Sequence, residues 1–571
     1  MTTPDTGRPQ MPDRTAAQDH GAWLDPRPAI AGNALAARPA SVRPRKLVLF
    51  DNGKLGAPYH HWAPVAQTLR ALLDGMGEVR LERRDLLVHP MTEHGPRVAQ
   101  WLQDGIDGVV FALCDAGVTQ PTVLQAVAAE KAGIPTAVVC LEQTAELGAA
   151  IASFLAPGLP IVTLASYRAA SPQTLVSAVR ALEGDLRSAL GAPVAELQAE
   201  AVRRYPFTAS LTRAAGEPVT AQQGPGVLRH EPFADYTAAH FMSDGLPAVS
   251  PTLARVQHML AAAGRPTNEV LIDTLIPSGA ALTVGQAAIC AVMAGCTPER
   301  FFLVLAALGA MADPAYRLEL ATITTHPSPH IILFSGPLAA AAGVVSGRGC
   351  LGPGHAANAT IGRAVSLCML NVARAIPGRS SLCLIGSPAQ FTCCFADAAE
   401  GPYPALASVL ASPGESIVWV HKAETPHNMV DHISTTPESL LGTFASVAAT
   451  LGGNASYLPS DLLFIVNPEH AQVLADAGWS RPQVQRYLWE HARIKRADTQ
   501  GRGVKPEWPQ EWHGWDRIPN SPSPERIWIV VAGAAGPQSM VSMAWGWTRA
   551  VWRRIEAPVA APISDAAAMP R

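Results

Sequence analysis

The sequence has little charge, few aromatic residues and no excess of positive charge. Charged residues make up 16% of the 571 positions, aromatic residues make up 6%, and the formal net charge is −3. The lack of a basic excess argues against nucleic acid or an anionic membrane as a partner, and the scarcity of aromatic rings argues against a base-stacking surface. Hydrophobic residues make up 48%, enough to bury large cores. We expect two or three domains.

The sequence also lacks a secretory signal, a membrane-spanning run and a disulfide framework. Residues 1–40 are polar and contain no apolar stretch of the signal-peptide kind. The longest apolar run, 331–345, is interrupted by Ser335, Gly336 and Pro337 and is too short to cross a bilayer. The nine cysteines, an odd number in a long chain, indicate a reducing compartment. We therefore predict a cytoplasmic protein with a disordered leader over residues 1–40, for which docking on the body is the alternative.

Strands and helices alternate between residues 41 and 204. Apolar runs of strand length occupy residues 46–50, 108–113 and 136–140, a further predicted strand occupies residues 79–83, and segments of helical spacing lie between these strands. This alternation predicts an α/β domain with a flavodoxin-like parallel sheet and helices on both faces.

Polar residues follow the first and third predicted strands. Ligands of such sheets bind at the carboxyl ends of the strands, so Asn52 is a candidate substrate-binding residue, and Lys54 and Asp115 are candidate catalytic residues. The alternative is ordinary turn chemistry, because Asp-Asn-Gly at 51–53 is a good turn by itself.

Residues 205–240 lose periodicity and predict a linker. Helical patterns and short apolar strands then return from residue 241 to residue 556, which predicts a larger, mixed α/β region before a loose tail at 557–571. No internal repeat is evident. The helices rich in alanine and glycine permit a homo-oligomer without requiring one.

A glycine-rich stretch, 347–354, precedes a predicted helix. With Asn358 as the N-cap, the free N–H groups near Gly352 and Gly354 and the guanidinium of Arg363 predict an anion site for a substrate; a tight structural turn is the alternative. The G-x-G-x-x-G pattern follows no strand and has no acidic residue at the required distance, so no dinucleotide site is predicted.

Cysteine and histidine side chains supply further candidates. Cys350 and His355 could act as a nucleophile and its base, or be a packed cysteine and a surface histidine. Cys393 adjoins Cys394 in a stretch of strand composition, where only one of the two can face a site. A transition-metal site is a further hypothesis, since imidazole is a suitable ligand, although the spacing matches no known motif and loop histidines are the alternative; its residues are His326, His330, His421 and His427.

Residues 49–54, 107–119 and 130–136 together resemble the UGSC family, over roughly residues 40–165. In that family a redox motif, selenocysteine or cysteine followed by Gly-Ser-Cys, occupies the loop after a strand. Asp115 matches the aspartate of the family, whereas Ala116, Val118 and Thr119 replace its reactive residues, which implies a degenerate redox loop. Residues 244–547 resemble a bacterial protein family associated with UGSC domains, on stretches such as 244–247, 351–354 and 358–364, and this resemblance implies no activity.

These patterns predict an enzyme that acts on a small anionic organic metabolite through Cys/His nucleophilic or acid–base chemistry. The UGSC resemblance implies sulfur-linked or redox-linked bond cleavage. Two alternatives stay open. One is a metal-dependent hydrolase or lyase that uses the histidines, and the other is a non-catalytic binding or assembly protein with a degenerate redox loop.

Overall fold

A computed structural model of the chain describes residues 24–28, 35–38, 45–55, 62–84, 90–114, 118–165, 171–212, 232–322, 324–399, 401–503, 506–544, 546 and 548–556. The N-terminal part alternates strands and helices as its periodicity predicts. Its elements are β1 (Arg45–Asp51), α1 (Ala63–Asp74), β2 (Gly77–Arg83), α2 (Pro90–Gln103), β3 (Gly108–Cys114), α3 (Thr119–Lys131), β4 (Thr136–Leu141), α4 (Glu142–Leu155), β5 (Ile161–Leu164), α5 (Pro172–Arg180), α6 (Glu183–Gly191), α7 (Val194–Arg204) and α8 (Thr208–Thr212).

The five N-terminal strands form one parallel sheet in the order β2-β1-β3-β4-β5, which is the flavodoxin-like order. Strands β3 and β4 are buried along their whole length, because helices cover both faces of the sheet. The predicted α/β class is therefore confirmed. The strand order reverses between β1 and β3, and at that point the side chain of Asn52, just after β1, bonds the carbonyl of Leu113 near the end of β3.

Parts of the predicted leader are ordered. Arg38 and Glu130 form a completely buried ion pair at 2.7 Å, and Glu130 also accepts hydrogen bonds from the backbone of Ala36 and Thr136. Residues 24–28 lie on the C-terminal region, where the N–H of Leu24 donates to the carbonyl of Pro251. These described segments of the leader are therefore docked on the body, where the buried Arg38 guanidinium has the fixed carboxylate partner that its burial requires.

The C-terminal part begins with a helix inside the predicted linker. Of the segment 205–240, residues 213–231 lie outside the described residues, and its two ends are helical. The remaining elements are α9 (Pro232–Ala239), α10 (Leu253–Ala263), β6 (Val270–Leu275), β7 (Ala280–Thr283), α11 (Val284–Ala294), α12 (Phe301–Met311), α13 (Leu318–Ala321), β8 (His330–Ser335), α14 (Pro337–Ala341), α15 (Ala356–Asn371), β9 (Cys394–Ala396), α16 (Leu406–Leu410), β10 (Ile417–Lys422), β11 (His427–Val430), α17 (Pro437–Ala448), α18 (Asn454–Tyr457), β12 (Leu462–Val466), α19 (Pro468–Asp476), α20 (Arg481–His491), β13 (Arg493–Lys495), β14 (Arg517–Pro519), β15 (Ile527–Val531), β16 (Gln538–Met543) and β17 (Val551–Arg554).

Two four-stranded sheets share one topology. Their strand orders are β17-β10-β8-β9 and β11-β16-β12-β15. Each sheet has one parallel pair, β8 with β9 and β12 with β15, and its other pairings are antiparallel. One outer strand is exchanged between the two sheets. β11 follows β10 along the chain but pairs in the second sheet, and β17 follows β16 but pairs in the first. The sequence-based expectation of no repeat is thus corrected at the level of topology.

The two sheets pack face to face between helical layers. Ile331, Leu333 and Trp419 of the first sheet share an apolar cluster with Leu463 and Ile465 of the second. The outer face of the first sheet contacts the helices α11, α12 and α15, and that of the second contacts α17, α19 and α20. A helix–sheet–sheet–helix arrangement results, because each strand alternates its side chains between the two faces.

One apolar core continues from the parallel sheet into the outer layer of the C-terminal region. It includes Phe111 and Phe154 of the N-terminal part as well as Leu275, Leu308 and Val420. The two regions are therefore packed as neighbours.

Among the described residues, no single helix is long and apolar enough to cross a bilayer; the one helix pair that meets those criteria together is bent by 74°.

Candidate functional site

The candidate site lies at one end of the β8–β10 pair. The antiparallel register places Lys422, the last residue of β10, directly opposite His330, the first residue of β8. Directly opposite residues project on the same face of a sheet. These two side chains therefore lie together on the face that the helices cover, whereas His421 projects into the space between the two sheets.

Lys422 is the only buried lysine in the described part of the chain. It is 4% exposed, whereas Lys46, Lys131 and Lys495 are exposed and Lys54 is half-buried. Burial lowers the pKa of its ammonium group to about 7, an effect that the nearby Cys383 partly counteracts. A hydrophobic environment disfavours the charged form. At neutral pH a substantial fraction of this amine is thus unprotonated and nucleophilic.

His330 is held by a tyrosine behind it. Its Nδ1 lies 2.6 Å from the hydroxyl of Tyr316, and both side chains sit in a buried environment. Burial, and then the neighbouring Lys422, depress the pKa of His330 well below its ordinary value, and burial raises the pKa of Tyr316. Both groups are therefore neutral at pH 7, and Tyr316 fixes the orientation of the imidazole.

Two further polar side chains line the same space. The Sγ atom of Cys383 lies 3.8 Å and 3.7 Å from the amide oxygen and nitrogen of Gln390. The hydroxyl of Ser328 is completely buried and has no hydrogen-bond partner among the described residues. A buried polar group without a partner costs free energy, so Ser328 is a group for which a ligand could supply the missing bond.

One cavity of about 730 Å³, which we call the Lys422 cavity, is bordered by Lys422, His330, Cys383, Gln390 and Ser328. This volume is within the usual range for small-molecule sites. Its lining combines the polar groups described above with apolar side chains, among them Phe241, Met369, Leu370, Ile376 and Phe391. A second cavity, of about 560 Å³, lies beside β5 and the helices α6 to α8. It borders the amino end of β5, opposite the strand ends where ligands of parallel sheets bind.

The carboxylate of the Lys422 cavity is already neutralised. Asp244 borders the cavity but accepts two hydrogen bonds from the guanidinium of Arg363, at 2.7 and 2.8 Å. Arg363 also donates to the carbonyls of Leu246 and Pro247. In this conformation, the arginine predicted to clamp a substrate anion is fully engaged within the protein. Lys422 is consequently the principal uncompensated positive charge that faces the cavity.

The glycine-rich loop adopts a different local structure from the one predicted. Helix α15 begins at Ala356 with His355 as its N-cap, so the prediction of Asn358 as the N-cap is wrong. The side chain of Asn358 instead bonds the N–H and carbonyl of Val345 and the carbonyl of Cys350. The side-chain amide of Asn358, which lies inside α15, therefore anchors the loop that carries Gly352 and Gly354.

Cys350 and Cys393 lie between the two sheets, away from the Lys422 cavity. Both belong to the apolar cluster between the sheets, whereas Cys394 belongs to the core on the other face of its sheet, as the predicted alternation requires. Burial raises the pKa of the Cys350 thiol and raises that of Cys393 to about 12. His355 contacts the carbonyl of Arg348 at 3.1 Å.

The four histidines considered for a metal do not converge. His330 and His421 point to opposite faces of one sheet, His326 pairs with Glu424 at 3.1 Å, and His427 is exposed. Burial lowers the pKa of His421 to about 4, and neither of its ring nitrogens has a hydrogen-bond partner among the residues that the structure describes. Within the described ranges, no group of three or more His, Cys, Asp or Glu side chains is arranged to hold a metal ion.

The N-terminal candidates occupy the point where the strand order reverses. Asn52 is buried, and its amide donates to the carbonyl of Leu113 and to the hydroxyl of Thr122, which ties the turn after β1 to the end of β3. Lys54 follows in the same turn, which Asp51 closes by accepting from the N–H of Gly53. Asp115 lies outside the described residues. The turn chemistry considered from the sequence is thus present at Asp51.

Sequence reasoning missed Lys422, Tyr316 and Ser328. A signal was available for the first, because the chain has very few lysines and one of them ends the apolar stretch Ile417–Lys422. A lysine that continues a buried strand calls for a specific reason. The complete set of lysines is Lys46, Lys54, Lys131, Lys422, Lys495 and Lys505.

Comparison with known proteins identifies only the N-terminal part. Residues 22–204 match the model described as the UGSC family, which confirms the predicted resemblance over β1 to α7 and over the ordered leader segments. No curated protein and no solved structure matches the chain.

Proposed function

We propose that the region after residues 22–204, which match the model of the UGSC family, is an enzyme that acts on a small anionic organic metabolite in the Lys422 cavity. In the UGSC part, Ala116, Val118 and Thr119 stand where reactive residues are expected. The chemistry is therefore assigned to the C-terminal region, whose cavity collects the groups that acid–base catalysis requires.

One observation carries the proposal. The amine of Lys422 is buried at the wall of a 730 Å³ cavity, and in the described residues it has no hydrogen-bonded carboxylate to balance a charge. Lysines in such surroundings serve as general bases or nucleophiles. An anionic substrate complements the protonated fraction of Lys422, because Asp244 is already paired with Arg363.

The neighbouring groups have complementary roles in this proposal. The neutral His330 is a hydrogen-bond donor or proton carrier, oriented by Tyr316, and Cys383 is a second acid–base group at the wall. Ser328 offers an unpartnered hydroxyl to the substrate. The apolar side chains strengthen each polar interaction by excluding water.

The experiment uses the full chain and a mixture of small organic acids, with consumption of each compound followed by mass spectrometry. We expect one class of acid to be consumed by the wild type, and the rate to fall by a factor of about 10²–10⁴ in Lys422→Met, since a positioned acid–base group contributes that much. Lys495→Met, at an exposed position on β13, is the matched control and should retain the wild-type rate. Equal rates for Lys422→Met and the wild type would remove the cavity from the reaction.

A further inference from the structure

We propose that the substrate is an oxo acid and that Lys422 forms an imine with its carbonyl carbon. This inference rests on the function proposed above and deepens it, since a general-base role for Lys422 would not require a covalent bond. It depends on four features of the Lys422 cavity, which are the unpartnered amine, the oriented imidazole, the unpartnered hydroxyl and the absence of a free carboxylate.

The first feature, an amine without a hydrogen-bond partner among the described residues, favours a nucleophilic role for Lys422. A catalytic base is normally oriented by a third group that accepts or donates a hydrogen bond. The amine of Lys422 has no hydrogen-bond partner in the described part of the chain, whereas His330 is oriented by Tyr316. A bond to the substrate fixes the amine without such a group. Burial supplies the unprotonated fraction that the addition requires, because it lowers the pKa of Lys422 to about 7.

The second and third features, the oriented imidazole of His330 and the buried hydroxyl of Ser328, can both donate hydrogen bonds to a carbonyl oxygen. When Tyr316 donates to Nδ1 of His330, the imidazole carries its proton on Nε2, which is free to donate to a carbonyl oxygen placed beside Lys422. The buried hydroxyl of Ser328 is a second donor, which lacks a partner within the described part of the protein. Donors aimed at an oxygen that gains negative charge stabilise the addition step.

The step balances without an oxidant or a reductant. The nitrogen lone pair forms a C–N bond, and the electron pair of the C=O double bond moves to oxygen. A proton passes from nitrogen to that oxygen and gives a carbinolamine. The C–O bond then breaks, a C=N bond forms, and the second amine proton leaves with the oxygen as water.

The fourth feature, the absence of a free carboxylate among the described lining residues, indicates that the substrate carries a carboxylate. A protonated imine is a cation, and burying it without a counter-charge is costly. The carboxylate of Asp244 at the cavity is held by Arg363 in two hydrogen bonds, so the protein provides no free anion among the described lining residues. A carboxylate on the substrate supplies the counter-charge.

The test uses glyoxylate with cyanoborohydride at pH 7 on the full chain, followed by peptide mass spectrometry. Reduction converts an imine into a stable carboxymethyl group. An exposed lysine, with a pKa of about 10.4, is unprotonated in only about one molecule in 2,500 at this pH. We therefore expect Lys422 to be modified at least about 100-fold faster than Lys46, Lys131 or Lys495, and more slowly in His330→Gln. Propanal, which has the carbonyl but no carboxylate, should react at least about tenfold more slowly than glyoxylate.

Two results overturn the proposal in distinguishable ways. If acetic anhydride acetylates Lys422 preferentially but glyoxylate does not modify it faster than the exposed lysines, the imine is excluded while the proposed acid–base function stands. If neither reagent prefers Lys422, the amine is charged or inaccessible and both proposals fail. Equal rates with propanal and glyoxylate overturn the assignment to an oxo acid.

Discussion

Replacing Lys422 by methionine should make the protein more stable at neutral pH. In the folded chain the pKa of Lys422 is about 7, whereas a lysine in an unfolded chain has a pKa of about 10.4. Between these two values the unfolded state binds a proton that the folded state does not, so the unfolded state is favoured. This penalty is fully present below pH 7 and disappears as the pH rises through about 10.4. Methionine removes it at every pH while keeping a side chain of similar length.

The expected gain is about 4 kcal/mol at pH 7, since each unit of pKa difference corresponds to about 1.4 kcal/mol. With an unfolding entropy of about 2.1 cal/mol/K per residue and cooperative unfolding of the 571 residues, this corresponds to a rise in Tm of about 3 °C. Scanning calorimetry from pH 6 to pH 10.5 measures the difference, which should shrink steadily above pH 7. The exposed Lys495→Met is the matched control and should leave Tm unchanged at every pH.

A variant that melts below the wild type at pH 7 would refute this reasoning, and so would a difference that stays constant up to pH 10.5. Either result would mean that the amine is charged in the folded state and stabilised by a partner. The expected result, a more stable but inactive variant, is the usual signature of a residue that is retained for function at the expense of stability.

Three further predictions concern polar contacts that anchor the leader, the segment around Asp244 and the glycine-rich loop. Glu130→Gln leaves the buried guanidinium of Arg38 without a counter-charge, so urea unfolding should show a loss of about 3–5 kcal/mol; a loss below about 1 kcal/mol would mean that the leader does not dock. Arg363→Lys loses the two-pronged contact with Asp244 and should lower the free energy of unfolding by about 2 kcal/mol. Unchanged stability with weaker substrate binding would instead restore Arg363 as an anion clamp. Asn358→Ala removes three hydrogen bonds that hold the glycine-rich loop, so it should cost about 2–3 kcal/mol and speed the alkylation of Cys350 by iodoacetamide; an unchanged alkylation rate would contradict the anchoring role.

Local pattern accounts for the elements of the fold that the sequence predicted. The strands at 46–50, 79–83, 108–113 and 136–140 all form. Those at 46–50, 108–113 and 136–140 are short apolar runs bounded by turn residues, so a sheet satisfies their backbone while burying their side chains. Strands β12 (Leu462–Val466) and β15 (Ile527–Val531), which are also short apolar runs, form for the same reason. Helix α15 begins at Ala356, three residues before the start that an N-cap at Asn358 would give. Its first turn lacks a side-chain cap, so the pattern alone cannot locate the boundary.

Local pattern did not reveal the duplicated sheets. The two halves share the order of parallel and antiparallel pairs without sharing a recognisable sequence period. A strand needs only alternating apolar residues to occupy its position, so two segments can adopt one topology with unrelated residues. The exchange of β11 and β17 between the sheets also depends on contacts that are distant along the chain.

The candidate site shows the same division. The sequence alone determined a flavodoxin-like N-terminal domain that resembles the UGSC family, a larger mixed α/β region, and histidine and cysteine residues as candidates. The tertiary structure alone decided that Lys422 meets His330, that Arg363 pairs with Asp244 across 119 residues, and that His421 turns away. Periodicity is set by neighbours in the chain, whereas burial and the pKa of an amine are set by strand register and by whatever packs over it.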